Sequence, residues 1–317
     1  RVPFLLRSEQ LDVGQTYDEA RLPSEIYTLP PTNDFSGLQV THSWPSVSGD
    51  LSLDAYWGRA ALYKRFWVRD AVPSPMPGQD PVLPAGALFT KANVDIAGLS
   101  LTWRAPDLLV RGSLVEATTR LADGGGISVH PVWVPLGPGV GYWVVGGPGA
   151  EQTSRVRNDF LTLGAELRLG GGWRVAGEVA HIHQRDTETG VQATAGYATL
   201  YRSIGAYTPY VTLAAIHSSS SGANWQQQLD TTTVPGAIPG ADLLNASMRA
   251  GADTMAVYRQ QSFALGSSYA LSGTSKLKLE WLHTRADASM LIDVPSGEPL
   301  QQRRRVNVWS ASYSFVF

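Results

Sequence analysis

The sequence predicts an all-β protein: a transmembrane, antiparallel, up-and-down β-barrel of about twelve strands, with long extracellular loops and short periplasmic turns. Three observations carry this. Alternating apolar and polar residues recur along the chain in runs of the length that a tilted membrane strand needs. The connections between runs are short at one end and mostly long at the other. Aromatic residues gather at the same end of strands that run in opposite directions.

The runs lie near 1–8, 36–45, 50–58, 93–104, 107–118, 157–169, 173–184, 191–203, 206–217, 257–270, 275–286 and 304–317. Short connections fall at 45–49, 105–106, 170–172, 203–205 and 271–274. Those at 9–35, 59–92, 119–156, 218–256 and 287–303 are long, and 185–190 is a brief exception. Sorting of this kind is typical of outer-membrane barrels and not of soluble sandwiches. The whole chain, 1–317, reads as one barrel domain.

The last run fixes the direction of all the others. "NVWSASYSFVF" places Trp309, Tyr313, Phe315 and Phe317 on one face, with serines on the other. If this strand descends to the periplasm, descending strands end at Trp44, Trp103, Tyr201, Tyr269 and Phe317. Ascending strands then begin at Trp173 and Tyr207. Trp57, Trp281 and Trp309 fall toward the opposite rim. Two aromatic girdles around an apolar band describe a barrel in lipid. The faces agree: Leu161, Leu163, Leu167 and Leu169 alternate with Thr162, Glu166 and Arg168.

Composition narrows the choice further. The 317 residues carry a net charge of −2, which offers no electrostatic footprint for nucleic acid. The absence of cysteine removes disulfides, thiol nucleophiles and Cys-bound metals. Charged residues make up 16%, below the roughly 25% usual in soluble domains. No apolar run approaches the roughly 18 residues of a membrane helix. The opening "RVPFLLRSEQ" lacks a signal-peptide core, so a processed chain, or one that starts inside a larger precursor, is expected.

The stretch "RVPFLLRSEQLDVGQTYDEARLPSEIY", followed by "FSGLQVTHSW", resembles a family of Gram-negative outer-membrane porin-like proteins. The similarity lies in the Pro-Phe-Leu, Asp-Val-Gly-x-x-Tyr and Arg-x-Pro-x-Glu-x-Tyr segments and covers about the first 45 residues; beyond them only the barrel pattern and the terminal Phe match. The resemblance implies a homotrimer and a terminal aromatic that the assembly machinery reads. It also implies more barrel upstream, so either about four strands of a roughly 16-stranded barrel are missing, or this barrel closes with twelve.

For such a protein the chemistry is the electrostatics of the lumen. Arg104, Arg111, Arg168, Arg174, Arg202, Lys276 and Lys278 fall on inward positions, against Asp54, Glu166, Glu178 and Glu280. The surplus of cations predicts a weakly anion-preferring channel for passive diffusion of small hydrophilic solutes. The loop 59–92 is expected to fold inward and form the constriction, with Arg59, Lys64, Arg65 and Arg69 on it. The first connection, 9–35, is acidic and would set a transverse field if it entered too. Lipid and lipopolysaccharide are the expected partners, with Arg303, Arg304 and Arg305 positioned for lipid phosphates. Gly37, Gly112 and Gly177 are candidate subunit contacts.

No cofactor, metal or enzymatic activity is expected. The alternatives are a loop-capped, substrate-specific channel and a barrel enzyme. An esterase would use His217 and Ser219, but no third group orients the base at a recognisable spacing. His283 with Asp287 is a weak match to a protease site. His181 and His183 share a face without a third metal ligand.

Overall fold

The computed structural model describes residues 2–8, 13–76, 78–146 and 149–316. One antiparallel sheet of eleven strands dominates it, and consecutive wall strands pair with each other. The first wall strands are β1 (Ser36–Ser46), β2 (Gly49–Val68), β3 (Gly86–Arg104) and β4 (Leu108–Leu121). Two small pairs follow: β5 (Ile127–Ser128) with β8 (Gln152–Thr153), and β6 (Val132–Gly137) with β7 (Val140–Val144). The wall resumes with β9 (Val156–Gly170), β10 (Trp173–Arg185), β11 (Gln192–Arg202) and β12 (Tyr207–Ser218). It ends with β13 (Tyr258–Ser272), β14 (Ser275–Ser289) and β15 (Arg304–Phe315). Helix α1 (Ser24–Tyr27) precedes the sheet; α2 (Ser220–Thr231) and α3 (Ala241–Asp253) join β12 to β13.

Side chains alternate across the sheet, and the sorting is inside out. Leu161, Leu213 and Leu279 are more than half exposed on the outward face, while Arg111, Glu178, Lys278 and Glu280 are buried on the inward face. A soluble barrel would do the reverse. The short turns are tight. Between β9 and β10 the chain reverses through Gly170, Gly171 and Gly172, with φ of +76°, +53° and +84°. Only glycine takes three successive left-handed conformations at low cost.

The N-terminal segment overturns one expectation. Residues 2–8 form no wall strand. They lie buried against the inward face, and so do Glu19, Glu25, Ile26, Tyr27 and Leu29 from 13–35. Among the described residues the wall therefore has eleven strands, where about twelve were expected. Contacts of this segment reach β4, β9, β10, β11, β12, β13 and β14 on one face. A short segment can touch that many adjacent strands only if the sheet curls around it. Among the described residues β1 pairs only with β2, and β15 only with β14, so no closing ladder joins them.

The aromatic rows follow the register. Trp44, Leu51 and Trp103 share one outward row; Tyr207, Tyr269, Leu277 and Tyr313 share another. Trp173 is also outward, at the start of β10. Trp281 lies directly opposite Trp309, higher on the wall. Tyr201 departs from the expectation: it points inward and is fully buried. Phe317 lies outside the described residues. Gly112 and Gly177 are on outward positions, whereas Gly37 faces inward opposite Gly58.

The expected loop 59–92 is mostly strand. β2 and β3 remain paired out to Val68 and Gly86, so only 69–85 is loop. The polarity signal fades there because the regular alternation of exposed and buried positions along β2 ends above Gly58.

Candidate pore and its occupying segment

The inward polar residues of the wall converge on residues 2–8 and 13–35. Arg111 on β4 donates through Nη1 to the carbonyl of Leu5 at 3.0 Å and through Nε to Thr102 at 2.9 Å. Ser113 and Thr162 donate to the carbonyl of Phe4. Glu178 on β10 accepts from the backbone N–H of Leu6 (2.8 Å), the Tyr27 hydroxyl (2.5 Å) and the Tyr197 hydroxyl (2.7 Å). Glu166 accepts from Arg7 at 2.5 Å and from Arg174 at 3.3 Å.

Asp18 is the opposite pole of this network. It meets Arg174 at 2.5 Å, Lys276 at 2.9 Å and the Ser268 hydroxyl at 2.7 Å. Lys278 donates to the carbonyl of Glu19 at 2.9 Å, and its ammonium sits 3.8 Å from the centre of the Tyr17 ring. Tyr201 donates to Glu19. Tyr210 donates to Glu280 at 2.8 Å and accepts from the N–H of Ala20. Glu25 accepts from Gln260 and Ser262, each at 2.7 Å. These are charge-assisted bonds in a buried setting, each stronger than a neutral one.

Above this layer the interior is apolar. Phe4 meets Phe160 edge-on with ring centroids 5.4 Å apart. Val2, Leu5 and Ile26 pack with Val94, Ile96, Val115, Ile182 and Ile216 from the wall. Burying each large side chain contributes about 1.5–3 kcal/mol. The lumen at this height is therefore a packed core.

The outer mouth is covered as well. Arg69 donates to Asp253 on α3 at 2.6 Å and to Asp230 on α2 at 2.5 Å, and it reaches the carbonyl of Glu298 at 2.7 Å. Arg65 forms a bidentate pair with Asp293 at 2.8 and 2.6 Å. The Trp67 indole N–H donates to the carbonyl of Val294. These contacts fasten the top of β2 to α2, α3 and the β14–β15 loop.

Two polar cavities lie on one side. A polar cavity of about 670 Å³ lies at the short-turn end, with Arg7, Arg111, Arg168, Arg174 and Glu166 on its walls. A second, of about 400 Å³, runs up the inner face of β1 to β3 and includes Thr41, Ser43, Asp54 and Thr102. Asp50, Arg104 and Arg111 line both. A larger cavity of about 770 Å³ is an apolar groove on the outside of the wall, lined by Leu38, Val40, Ala97, Leu99 and Leu161.

The structure thus gathers Arg111, Glu166, Arg168, Arg174, Glu178, Lys276, Lys278 and Glu280 on the inward face. The loop group behaves otherwise. Arg59 points outward and pairs with Asp95 at 2.8 Å. Lys64 lies near the Phe66 ring, while Arg65 and Arg69 serve the outer clasp. The inward segment is the first connection and not 59–92. The residues that the sequence reading missed are Arg7, Tyr27 and the apolar Phe4 and Ile26. The run "RVPFLL" could have signalled them, because its apolar residues do not alternate as a lipid-facing strand should.

His217 lies on the outward face of β12, in register with Thr194 and Arg259. His181 bonds Thr194. Among the described residues, no group of three or more His, Asp or Glu could hold a metal ion.

No protein-family model and no curated protein matches the chain. Solved structures similar to it are outer-membrane proteins. A loop L8 deletion mutant of OmpT from Vibrio cholerae has 10% identity and a TM-score of 0.36, over 88% of this chain and 91% of that one. In-vitro folded OmpT from the same organism has 10% identity and a TM-score of 0.34, over 87% and 89%. OccK2 (OpdF) from Pseudomonas aeruginosa has 13% identity and a TM-score of 0.28, over 90% of each chain.

Proposed function

We propose that the chain forms an outer-membrane channel for passive diffusion of small hydrophilic solutes, occluded by its own N-terminal segment and outer loops. The observation that carries this is the inside-out sheet, apolar outside with aromatic rows, curled around residues 2–8 and parts of 13–35. A wide general pore would leave its polar wall in water. Here the polar wall is bonded to a segment, which favours a selective, capped channel. A weak anion preference is part of the proposal. The side cavities are lined by Arg7, Arg104, Arg111, Arg168 and Arg174 against Asp50, Asp54, Asp107 and Glu166, and charges within about 8 Å of a permeating ion act on it strongly at physiological salt. Outward small residues, Gly112 and Gly177, leave room for close subunit contact in a homotrimer.

Single-channel recording in a planar bilayer with a KCl gradient tests this. Small, infrequent conductance steps with an anion-selective reversal potential are expected. A cation-selective sign overturns the preference, and a protein that inserts but never conducts overturns the channel. Mass measurement in mild detergent that finds only monomers overturns the trimer.

A further inference from the structure

The outward face of β14 and β15 carries a charge arrangement that the channel reading does not use. Arg285 on β14 lies directly opposite Arg305 on β15. Both are exposed, and neither has an ion pair or hydrogen bond from its side chain among the described residues. Like charges directly opposite on antiparallel strands repel at a Cβ separation of about 5 Å. One position farther out, Arg303 has Asp287 at 3.3 Å. The Arg285–Arg305 pair has no such counterion.

Below and beside the pair the surface changes character. His283 bonds Asn307 at 2.9 Å in the next outward row, and Trp281 faces Trp309 in the row below that, with ring centroids 6.3 Å apart. Along the row of the arginines the wall continues through Gln261 to Ala215 and Gly196. Those two small residues leave a depression of about 590 Å³, bounded by Leu213 and Phe263 and with Arg285 and Gln261 at its margin. An apolar groove that ends at two unneutralised guanidinium groups has the chemistry of a lipid site.

We infer that Arg285 and Arg305 together clamp the phosphate of an outer-leaflet glycolipid, with one acyl chain in the groove between Leu213 and Phe263. This rests on the proposed reading that this face meets lipid. Guanidinium forks match phosphate oxygens bidentately, and one phosphate between two arginines converts their repulsion into two attractions. The groove selects a lipid over free phosphate, because inorganic phosphate gains nothing from Leu213, Ala215 or Phe263.

The test is native mass spectrometry of the full chain in detergent with added lipid A, dephosphorylated lipid A or inorganic phosphate. The wild type should hold lipid A. The Arg285→Gln/Arg305→Gln double variant and the dephosphorylated lipid should each weaken binding about tenfold or more. Ala215→Trp, which fills the groove and keeps both charges, should also weaken it. Melting gives an independent sign: Arg305→Gln should raise Tm in phosphate-free detergent and lower it with lipid A present. Equal lipid A binding by wild type and double variant overturns the clamp, and so does equal binding of the dephosphorylated lipid. Displacement of lipid A by inorganic phosphate alone makes this a free-phosphate site and overturns the lipid assignment. Insertion into bilayers is scored separately: failure to insert refutes the membrane reading, whereas an inserted protein with unchanged lipid binding refutes only the clamp.

Discussion

The guanidinium of Arg7 meets the carboxylate of Glu166 at 2.5 Å across 159 residues of sequence. Both side chains are nearly buried, and Glu166 keeps a second, longer partner in Arg174. One end of the chain is thereby fastened to the middle of the wall.

Removing that fastening should loosen the occlusion. Arg7→Ala leaves Glu166 with Arg174 alone, and loss of one partner of a buried pair costs on the order of 3 kcal/mol. The variant should melt lower in detergent and show more frequent or larger openings in a planar bilayer. Unchanged conductance and Tm would mean that residues 2–8 do not limit the path.

Glu178 offers a cleaner chemical test. Its carboxylate accepts from one backbone N–H and two tyrosine hydroxyls. Glu178→Gln keeps the shape but turns an N–H group toward at least one of those donors. An unsatisfied buried donor costs about 1–3 kcal/mol. Tyr197→Phe removes one bond to the carboxylate, leaves the other two in place, and should cost about 1.5 kcal/mol. Thermal melting that ranks the glutamine variant as the milder of the two would refute the three-donor arrangement.

The wall was legible in the sequence because its two faces impose opposite demands on alternate residues, apolar outward and polar inward. Leu161 and Thr162, or Leu279 and Glu280, report their faces unaided. The signal fails where that contrast ends. Above Gly58 on β2 neither side meets a uniform solvent, so Leu62 to Val68 read as loop although they pair with β3. It fails again inside the lumen. Phe4 and Ile26 are apolar because they meet Phe160 and Ile182, and sequence alone cannot show that the lumen has a core. Tyr201 was misplaced because a ring near a strand end suits a girdle as well as a buried bond to Glu19. Tyr210 and Gly266 are paired across β12 and β13, and a Cβ on that glycine would strike the ring. Such a pair becomes visible only once the register is known.

The outer clasp should respond to pH. Arg69 faces two carboxylates, Asp230 and Asp253, so the cluster carries one excess negative charge. Burial, reinforced by Asp230 and opposed by Arg69, pushes the Asp253 carboxyl up to about 6. The sign follows from proton uptake. Between the ordinary value of 3.8 and about 6 the docked state binds a proton that the undocked state does not, so docking strengthens as pH falls through that window. Limited proteolysis of the α2–α3 connection should be slower at pH 5 than at pH 7, and conductance should be lower. Asp253→Asn should abolish the difference. Faster cleavage at pH 5 would reverse the assignment.

The two edges of the sheet carry the last prediction. Strand direction alternates along the wall, so β1 and β15, the first and last of eleven, run the same way. Antiparallel closure between them therefore takes an odd number of further strands. Every residue of β1 is exposed on both faces, and among the described residues no strand pairs with its other edge, which offers a row of N–H and C=O groups. In the proposed bilayer each such group would cost several kcal/mol if left unpaired. The edges of β1 and β15 should thus be paired when the protein is in a membrane. Hydrogen exchange in lipid nanodiscs measures this directly. Amides along β1 and β15 should be protected to nearly the level of the central strand β12. Free exchange along both edges, with β12 protected, would show that the edges border water, and the wall would then have a permanent gap beside β1.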